Sequence, residues 1–382
     1  EVQEARRLKI PVIPRGELLA ELMRLKYGVA VAGSHGKTTT TSMLAAILSH
    51  AGLDPTVVVG GRLKAIGGST ARLGRSDFLV VESDESDRSF LKLSPIVAIV
   101  TNIDREHLDH YASIEEIRAA FVEFINRVPF YGAAILCLDD ENIQRILPLV
   151  QRRTITYGVR AQADFHITDI AGGHFAGAFR LRARGHDLGE FALQFPGVHN
   201  VLNATAAIAA GMELDLTVNS MREALAEFSG VDRRFQVRGQ ERGVTVIDDY
   251  GHHPTEIRAT LAAARQCRYR RVLVIFQPHR YTRTFHLMDE FARCFYQADG
   301  VWVTDIYAAS EQVIEGVSAA ALVERLRAFG HRWAEYAGTL EHAVEMVLCA
   351  AEEGDVVLTL GAGNVWQAGE RLLAALRESH AS

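Results

Sequence analysis

From Tyr27 the chain reads "YGVAVAG", then "SHGK", then "TTTTSMLAAILSHAG". The first run alternates small and β-branched residues as a short buried strand does. The last carries apolar residues at helical spacing and meets Gly52, a residue suited to end a helix. Few local patterns constrain a fold so strongly, because a strand, a tight glycine turn and a helix must follow without slack. Gly36 lets the backbone approach an anion, Lys37 adds a mobile charge, and Thr38 places a hydroxyl at the helix N-terminus. The full phosphate-loop pattern wants glycine five residues before Gly36, where Val31 stands. The match is therefore to a shortened G-x-x-G-K-T. It predicts nucleotide binding, with ATP and GTP both open from these residues alone.

The alternation continues. "TVVVGG", "DFLVVES", "IVAIVTN" and "AAILCLDD" are strand candidates, and Thr38–His50, Ile114–Asn126 and Val201–Met212 are helix candidates. Near-continuous apolar strands followed by amphipathic helices predict a mostly parallel sheet covered on both faces. Residues 153–195 carry shorter alternating runs, "FHITDI", "AFRLRAR" and "GEFALQF", read as an antiparallel flap. A second series begins near Val231: "GVTVIDDY", "RVLVIFQPH", "GVWVTDIY" and "DVVLTLGAG". Each ends in polar or glycine residues, as in open sheets that bind ligands at their strands' carboxyl ends. The fold class is thus α/β: a central phosphate-loop domain with its flap, then a Rossmann-like C-terminal α/β domain. The expected divisions are residues 1–26, 27–230 and 231–382, with "SGVDRRF" at the junction.

Composition narrows the functions. With 382 residues and 48% apolar content, the chain can bury a core for two domains. The net charge of −6 argues against a nucleic-acid partner. No apolar stretch reaches the ~18 residues of a membrane span. Cys137, Cys267, Cys294 and Cys349 are scattered and read as buried core thiols of a reducing, cytoplasmic setting.

Polar residues gather at the predicted strand ends. Glu82, directly after "DFLVV", is placed to reach Mg²⁺, whereas Asp84, Glu85 and Asp87 taken singly read as a solvated acidic turn. "IVAIVTNIDREHLDHY" delivers Asn102, Asp104, His107, Asp109 and His110 to a neighbouring strand end. No spacing there suits zinc, so Mg²⁺ is the expected metal, with His107 the stronger candidate. "FPGVHNVLNATAAIAA" presents His199, Asn200 and Asn203; Asn200 could simply cap the helix, but Asn203 lies one turn further in. The second domain offers Arg233 and Arg234, then "DDYGHHP", then His279, Arg280 and Arg283, then "GAGN". Arginine forks suit carboxylates and phosphates.

Taken in order, "GSHGKTTTT", "ESDESDRSF", "TNIDREHLDHY", "GVHNVLNATAA", "RRF", "DDYGHHPTE" and "FQPHRYTRT" resemble the Mur ligases of peptidoglycan synthesis, over most of the chain. "DESDRSF" and "DDYGHHPTE…FQPHRYTRT" tilt the resemblance toward the member that joins L-alanine to UDP-N-acetylmuramate, ahead of relatives adding another amino acid or a peptide. A switch or motor ATPase would leave the last two motifs unexplained. The resemblance implies ATP and Mg²⁺, an acyl-phosphate intermediate, and a monomer or homodimer whose partners are small-molecule substrates, with neither nucleic acid nor membrane. It implies that Gly33, Ser34, His35, Gly36, Lys37, Thr38 and Thr39 hold the phosphates. Asn200 and Asn203 would read adenine, Arg234 would reach the γ-phosphate, and Asp249 and Tyr250 would pack on the nucleotide. Thr38, Glu82 and His107 would hold metal, and His199 would touch the muramate. His252, Arg280 and Arg283 would hold the amino acid and the developing charge, completing a catalytic set with Lys37 and His107. Several family members use a carbamylated lysine in the later central domain, but lysine here stops at Lys92. The family also carries a UDP-binding N-terminal domain, of which residues 1–26 read as the tail; without it the nucleotide-sugar would be held poorly.

Overall fold

The structure is a computed structural model and describes residues 1–63, 69–106, 110–173 and 176–378. The chain divides into two compact units, the main boundary falling between Ser229 and Gly230. No helix among the described residues is long and apolar enough to cross a membrane.

The first unit is built on one ten-stranded sheet. Its strands are β1 (Tyr27–Ala32), β2 (Thr56–Leu63), β3 (Ser69–Arg72), β4 (Phe78–Glu82), β5 (Val97–Val100), β6 (Ala133–Cys137), β7 (Thr154–Gly158), β8 (Phe165–Gly173), β9 (Ala176–Ala183) and β10 (His186–Leu193). They lie in the order 10-9-8-7-6-5-1-4-2-3. β1 runs parallel to both neighbours, pairing Val29 with Val80 on β4 and with Val97 on β5. The loops that leave β1, β4 and β5 therefore emerge side by side. The alternating runs of 153–195 extend this same sheet: β7 pairs parallel to β6, and β8 starts parallel to β7. β9 alternates exposed and buried positions, as a strand with one wet face must.

Helix Lys37–His50 follows β1 and is buried almost all round, with Met43, Leu44, Ile47 and Leu48 fully inaccessible. Helix Ile114–Asn126 is capped by Ser113, whose hydroxyl accepts the Glu116 amide. It presents Phe121 and Phe124 to Phe90, with ring centroids 5.2 and 5.1 Å apart. Each such buried ring contributes about 1.5–3 kcal/mol, so this cluster pins the "ESDESDRSF" turn firmly. Near the start, Leu19, Ala20 and Met23 of helix Arg15–Arg24 are buried, whereas helix Val2–Arg7 buries none of its residues.

The second unit has a six-stranded sheet: β11 (Gln236–Glu241), β12 (Val244–Asp249), β13 (Val272–Phe276), β14 (Gly300–Thr304), β15 (Ala334–Gly338) and β16 (Val356–Leu360). The order is 11-12-16-13-14-15, parallel except for edge strand β11. β16 returns between β12 and β13, so the ends of these three strands deliver Asp249, Gly361 and Gln277 to one edge. Sequence reading overlooked β11 and β15, which carry half-exposed, polar-rich patterns. Cys137, Cys267 and Cys294 are buried, but Cys349 is exposed, contrary to expectation, because it sits on the outward side of helix Leu340–Ala350.

Candidate active site

Two glycines shape the loop after β1. Gly33 has φ +131° and Gly36 φ +81°, a region that penalises any Cβ. A Cβ on Gly33 would come within 2.1 Å of the Thr101 hydroxyl, and one on Gly36 within 2.5 Å of Asn203 Oδ1. The loop is braced from the neighbouring strand end. Asn102 accepts the His35 amide at 2.8 Å and donates to the His35 carbonyl at 3.0 Å, and Thr101 donates to that carbonyl at 2.6 Å. Ser34 Oγ accepts the Asp104 amide at 2.8 Å, and His35 Nε2 lies 2.9 Å from the Asp104 carboxylate. "TNID" is thus, in the first instance, the frame of the glycine loop.

Lys37 opens the helix and folds back over the loop. Its Nζ donates to the Gly33 carbonyl at 2.5 Å, the Ser34 carbonyl at 3.1 Å and Glu85 Oε1 at 2.7 Å. Burial alone would depress this ammonium's pKa, but Glu85, with Glu82 and Glu106, outweighs it and the pKa rises. Lys37 is therefore cationic at any physiological pH. Thr38 donates its hydroxyl to Glu82 Oε1 at 2.9 Å, while Glu82 Oε2 accepts the Gly60 amide at 2.6 Å. Thr39 is buried beside Thr38.

Glu85 is where sequence reading erred. It is 2% exposed and salt-bridged to Lys37, not solvated. Its turn folds inward because Tyr111 donates to the Glu85 carbonyl at 2.7 Å and Phe90 is locked in the core. Asp84 and Asp87 do behave as turn acids, accepting the amides of Ser86 and Ser89. Only the three-residue offset from Glu82 hinted at the difference.

Helix Val198–Glu213 carries His199 half-buried and Asn200 and Asn203 buried. Asn203 Oδ1 accepts the Thr40 hydroxyl at 3.2 Å, which ties this helix to helix Lys37–His50. His107 and Asp109 lie outside the described residues. His110 is exposed, and its carbonyl accepts from Arg88.

In the second unit the two junction arginines do different work. Arg233 donates to Asp248 at 2.9 Å, to the Gly361 carbonyl at 2.7 Å and to the Gly363 carbonyl at 3.0 Å. Asp248 is fully buried and also accepts the Thr359 hydroxyl at 2.8 Å, so Arg233 fastens the "GAGN" loop to β12. Arg234 reaches Glu256 at 3.3 Å, and both guanidiniums lie over the Tyr250 ring, 5.1 and 5.3 Å from its centroid. The Asp249 carboxylate accepts the amides of Phe235 and Gly251, each at 2.7 Å. Burial still pushes its pKa up to about 6 against the pull of Arg234 and those amides.

His252 stands 3.3 Å from Glu256 and 5.9 Å, ring to ring, from His279. His279 stacks on Tyr307 at 5.4 Å and 9°, and Arg283 Nη1 lies 3.3 Å from its Nδ1. Burial first, then Arg283 and Arg280, bring His279 down to about 4, so the ring is neutral at pH 7. Arg280 has φ +72°, an uncommon conformation for a side-chain-bearing residue. It is held there by its backbone N–H, which donates to the Tyr307 carbonyl at 2.9 Å, and by its Nε, 3.3 Å from Glu311. Glu311 also receives the Thr282 amide and hydroxyl, at 3.0 and 2.7 Å. Neither Glu311 nor Tyr307 carried any local signal.

The unit with the glycine loop and the unit with the arginine-histidine cluster match known families in the same order. Residues 31–211 match the Mur ligase middle domain, and residues 233–363 match the Mur ligase glutamate ligase domain. The chain belongs to the Mur ligase family. Among Mur ligases, it is 71% identical to the UDP-N-acetylmuramate–L-alanine ligase of Solibacter usitatus, over 99% of this chain and 80% of that one. It is 57% identical to the enzyme of the same name from Koribacter versatilis, over 98% and 81%. The crystal structure of the UDP-N-acetylmuramate–alanine ligase of Thermotoga maritima superposes with a TM-score of 0.82 at 29% identity, covering 99% and 82%. The murein peptide ligase of Psychrobacter arcticus shares the Mur ligase fold at 24% identity, with a TM-score of 0.69 over 98% and 82%.

Proposed function

We propose that this Mur ligase joins L-alanine to the carboxylate of UDP-N-acetylmuramate at the expense of ATP. The reading rests above all on 71% identity, over 99% of the chain, to a ligase of that name. The candidate site supports it with groups of the right chemistry. Lys37, raised in pKa and half-buried at a helix N-terminus beside the glycine loop, is fit to hold the β- and γ-phosphates. Arg280 and Arg283 are fit to hold a carboxylate by their forks. His279 is held neutral against a cationic neighbour.

In the proposed reaction a carboxylate oxygen of the muramate attacks the γ-phosphorus, and the bond to ADP breaks. The alanine amine then attacks the acyl carbon, loses a proton, and expels phosphate to leave an amide. Lys37 neutralises charge on the transferring phosphoryl group, and the loop amides orient it. Arg280 and Arg283 hold the alanine carboxylate so that its amine faces the acyl carbon. The oxygen donors Thr38 and Glu82, 2.9 Å apart, fit Mg²⁺, a hard cation that takes oxygen ligands. When bound there, Mg²⁺ would supply charge neutralisation for the phosphates.

The test is phosphate release by the full-length protein with Mg-ATP and UDP-N-acetylmuramate, with and without L-alanine. Release that requires both substrates is expected. Release indifferent to L-alanine would overturn the reading in favour of an ATPase or another acceptor, and a panel of amino acids and a tripeptide would name the latter.

A further inference from the structure

The phosphate loop is an odd anion site. One cation, Lys37, feels the carboxylates of Glu85, Glu82 and Glu106. Glu85 and Glu106 are 2% and 7% exposed, so water screens them poorly. Counting only these four groups, the surroundings of the loop carry a net charge of −2, from one positive and three negative groups. Loop amides and a helix N-terminus offset part of this. Even so, a nucleotide polyphosphate, itself multiply negative, meets like charge at short range in a medium where charges interact strongly. Lys37 also arrives already shared, since Glu85 takes one of its hydrogens at 2.7 Å and two carbonyls take the others.

Glu85 is placed with some care. Its carbonyl is held by Tyr111, and the next core anchor is Phe90, so the carboxylate cannot swing into water without unpacking the turn. Glu82 has the different task of receiving the Thr38 hydroxyl and the Gly60 amide. Glu85 is bonded to Lys37, and its effect on the nucleotide is that of a fixed negative charge beside the phosphate lysine.

We infer that Glu85 makes nucleotide capture depend on the divalent cation: its buried charge rejects a bare polyphosphate and is tolerable only once the cation's charge accompanies the phosphates. The inference rests on the nucleotide reading above and adds to it a residue that sets the coupling between the two ligands. Coupling of this kind is reciprocal, so Glu85 also sharpens the affinity for Mg²⁺ once nucleotide is present. The benefit is that the loop ignores free nucleotide, which cannot react, and fills only with the competent complex.

The test is calorimetric titration of ADP into the full-length protein, with Mg²⁺ and with EDTA, for wild type, Glu85→Gln and Glu85→Asp. The ratio of the two affinities measures the coupling. Wild type is expected to favour Mg-ADP on the order of 100-fold, and Glu85→Gln to cut that ratio about tenfold, chiefly through tighter metal-free binding. Glu85→Asp, which keeps the charge, is expected to stay near the wild-type ratio. If Glu85→Gln tightens both affinities equally, Glu85 only competes for the lysine and the inference is overturned. If it weakens both equally, Glu85 only orients Lys37, which also overturns it. A Glu85→Asp ratio as low as that of Glu85→Gln would mean that shape, not charge, matters. A wild-type protein that binds no Mg-ADP would overturn the nucleotide reading itself, and this inference with it.

Discussion

The two units present polar groups at the carboxyl ends of parallel strands, but they arm those ends in opposite ways. In the first, a single lysine is surrounded by carboxylates and the geometry comes from glycine backbone. In the second, four arginines (Arg233, Arg234, Arg280 and Arg283) gather with neutral His279, and the geometry comes from side chains. The glycine loop is braced by Thr101, Asn102 and Asp104, 66 to 70 residues away at a neighbouring strand end. Arg233 reaches further, to carbonyls 128 and 130 residues away. The difference teaches that a small anion can be gripped by backbone amides, whereas charged groups of variable position demand guanidinium forks held by a tertiary scaffold.

If the first unit depends on one cation, removing it should have the largest effect. Lys37→Ala is expected to lower turnover by about 10³-fold or more with an unchanged circular dichroism spectrum. Retained phosphate release would take the loop out of the chemistry and collapse the comparison. The second unit's dependence on long-range ties is tested by Asp248→Ala, which strands Arg233 and frees the "GAGN" loop. It should cost about 3–5 kcal/mol in denaturant titrations, as loss of one partner of a buried pair does. A loss near that of a surface pair, below about 1 kcal/mol, would show the scaffold to be redundant.

Arg280→Ala sharpens the division of labour. The KM for L-alanine should rise roughly 10- to 100-fold, the loss of a charge-assisted hydrogen bond, while ADP affinity stays constant. A change in ADP affinity alone would move that patch to the nucleotide.

The smallest effect is on pH. His279 has its pKa brought down to about 4, below the unfolded value of 6.5, so folding favours the neutral ring. Its contribution to stability is complete above pH 6.5 and is lost as pH falls toward 4. Asp249 opposes it: with a folded pKa of about 6 against 3.8, its contribution is present at acid pH and lost as pH rises through 6. Between pH 7 and 5, His279→Gln should therefore lose less stability than wild type, measured by urea midpoints. Equal losses would mean that the His279 ring is not shielded.

Much of this was legible without coordinates. The buried strands β1, β4, β5, β6, β12, β13, β14 and β16 were all visible, because apolar runs this short and rich in β-branched residues, between polar stops, suit buried strands. Helix Ile114–Asn126 is bounded as expected, and the structure adds its Ser113 cap. β11 and β15 were not, since an edge strand needs no apolar face. The strand-glycine-lysine-helix order pointed to a phosphate loop because its parts are adjacent in the chain and their chemistry is local.

Sequence alone thus determined the α/β class and the strand, glycine turn and helix around Gly36, which follow from periodicity and backbone chemistry within some twenty residues. Only the tertiary structure decided which acid of "ESDESD" turns inward to Lys37, that Arg233 is a fastener while Arg234 stacks on Tyr250, and that Glu311 holds Arg280. The reason is electrostatic. A carboxylate or guanidinium is chemically the same wherever it occurs, and its role is set by burial and by partners that folding brings from far along the chain.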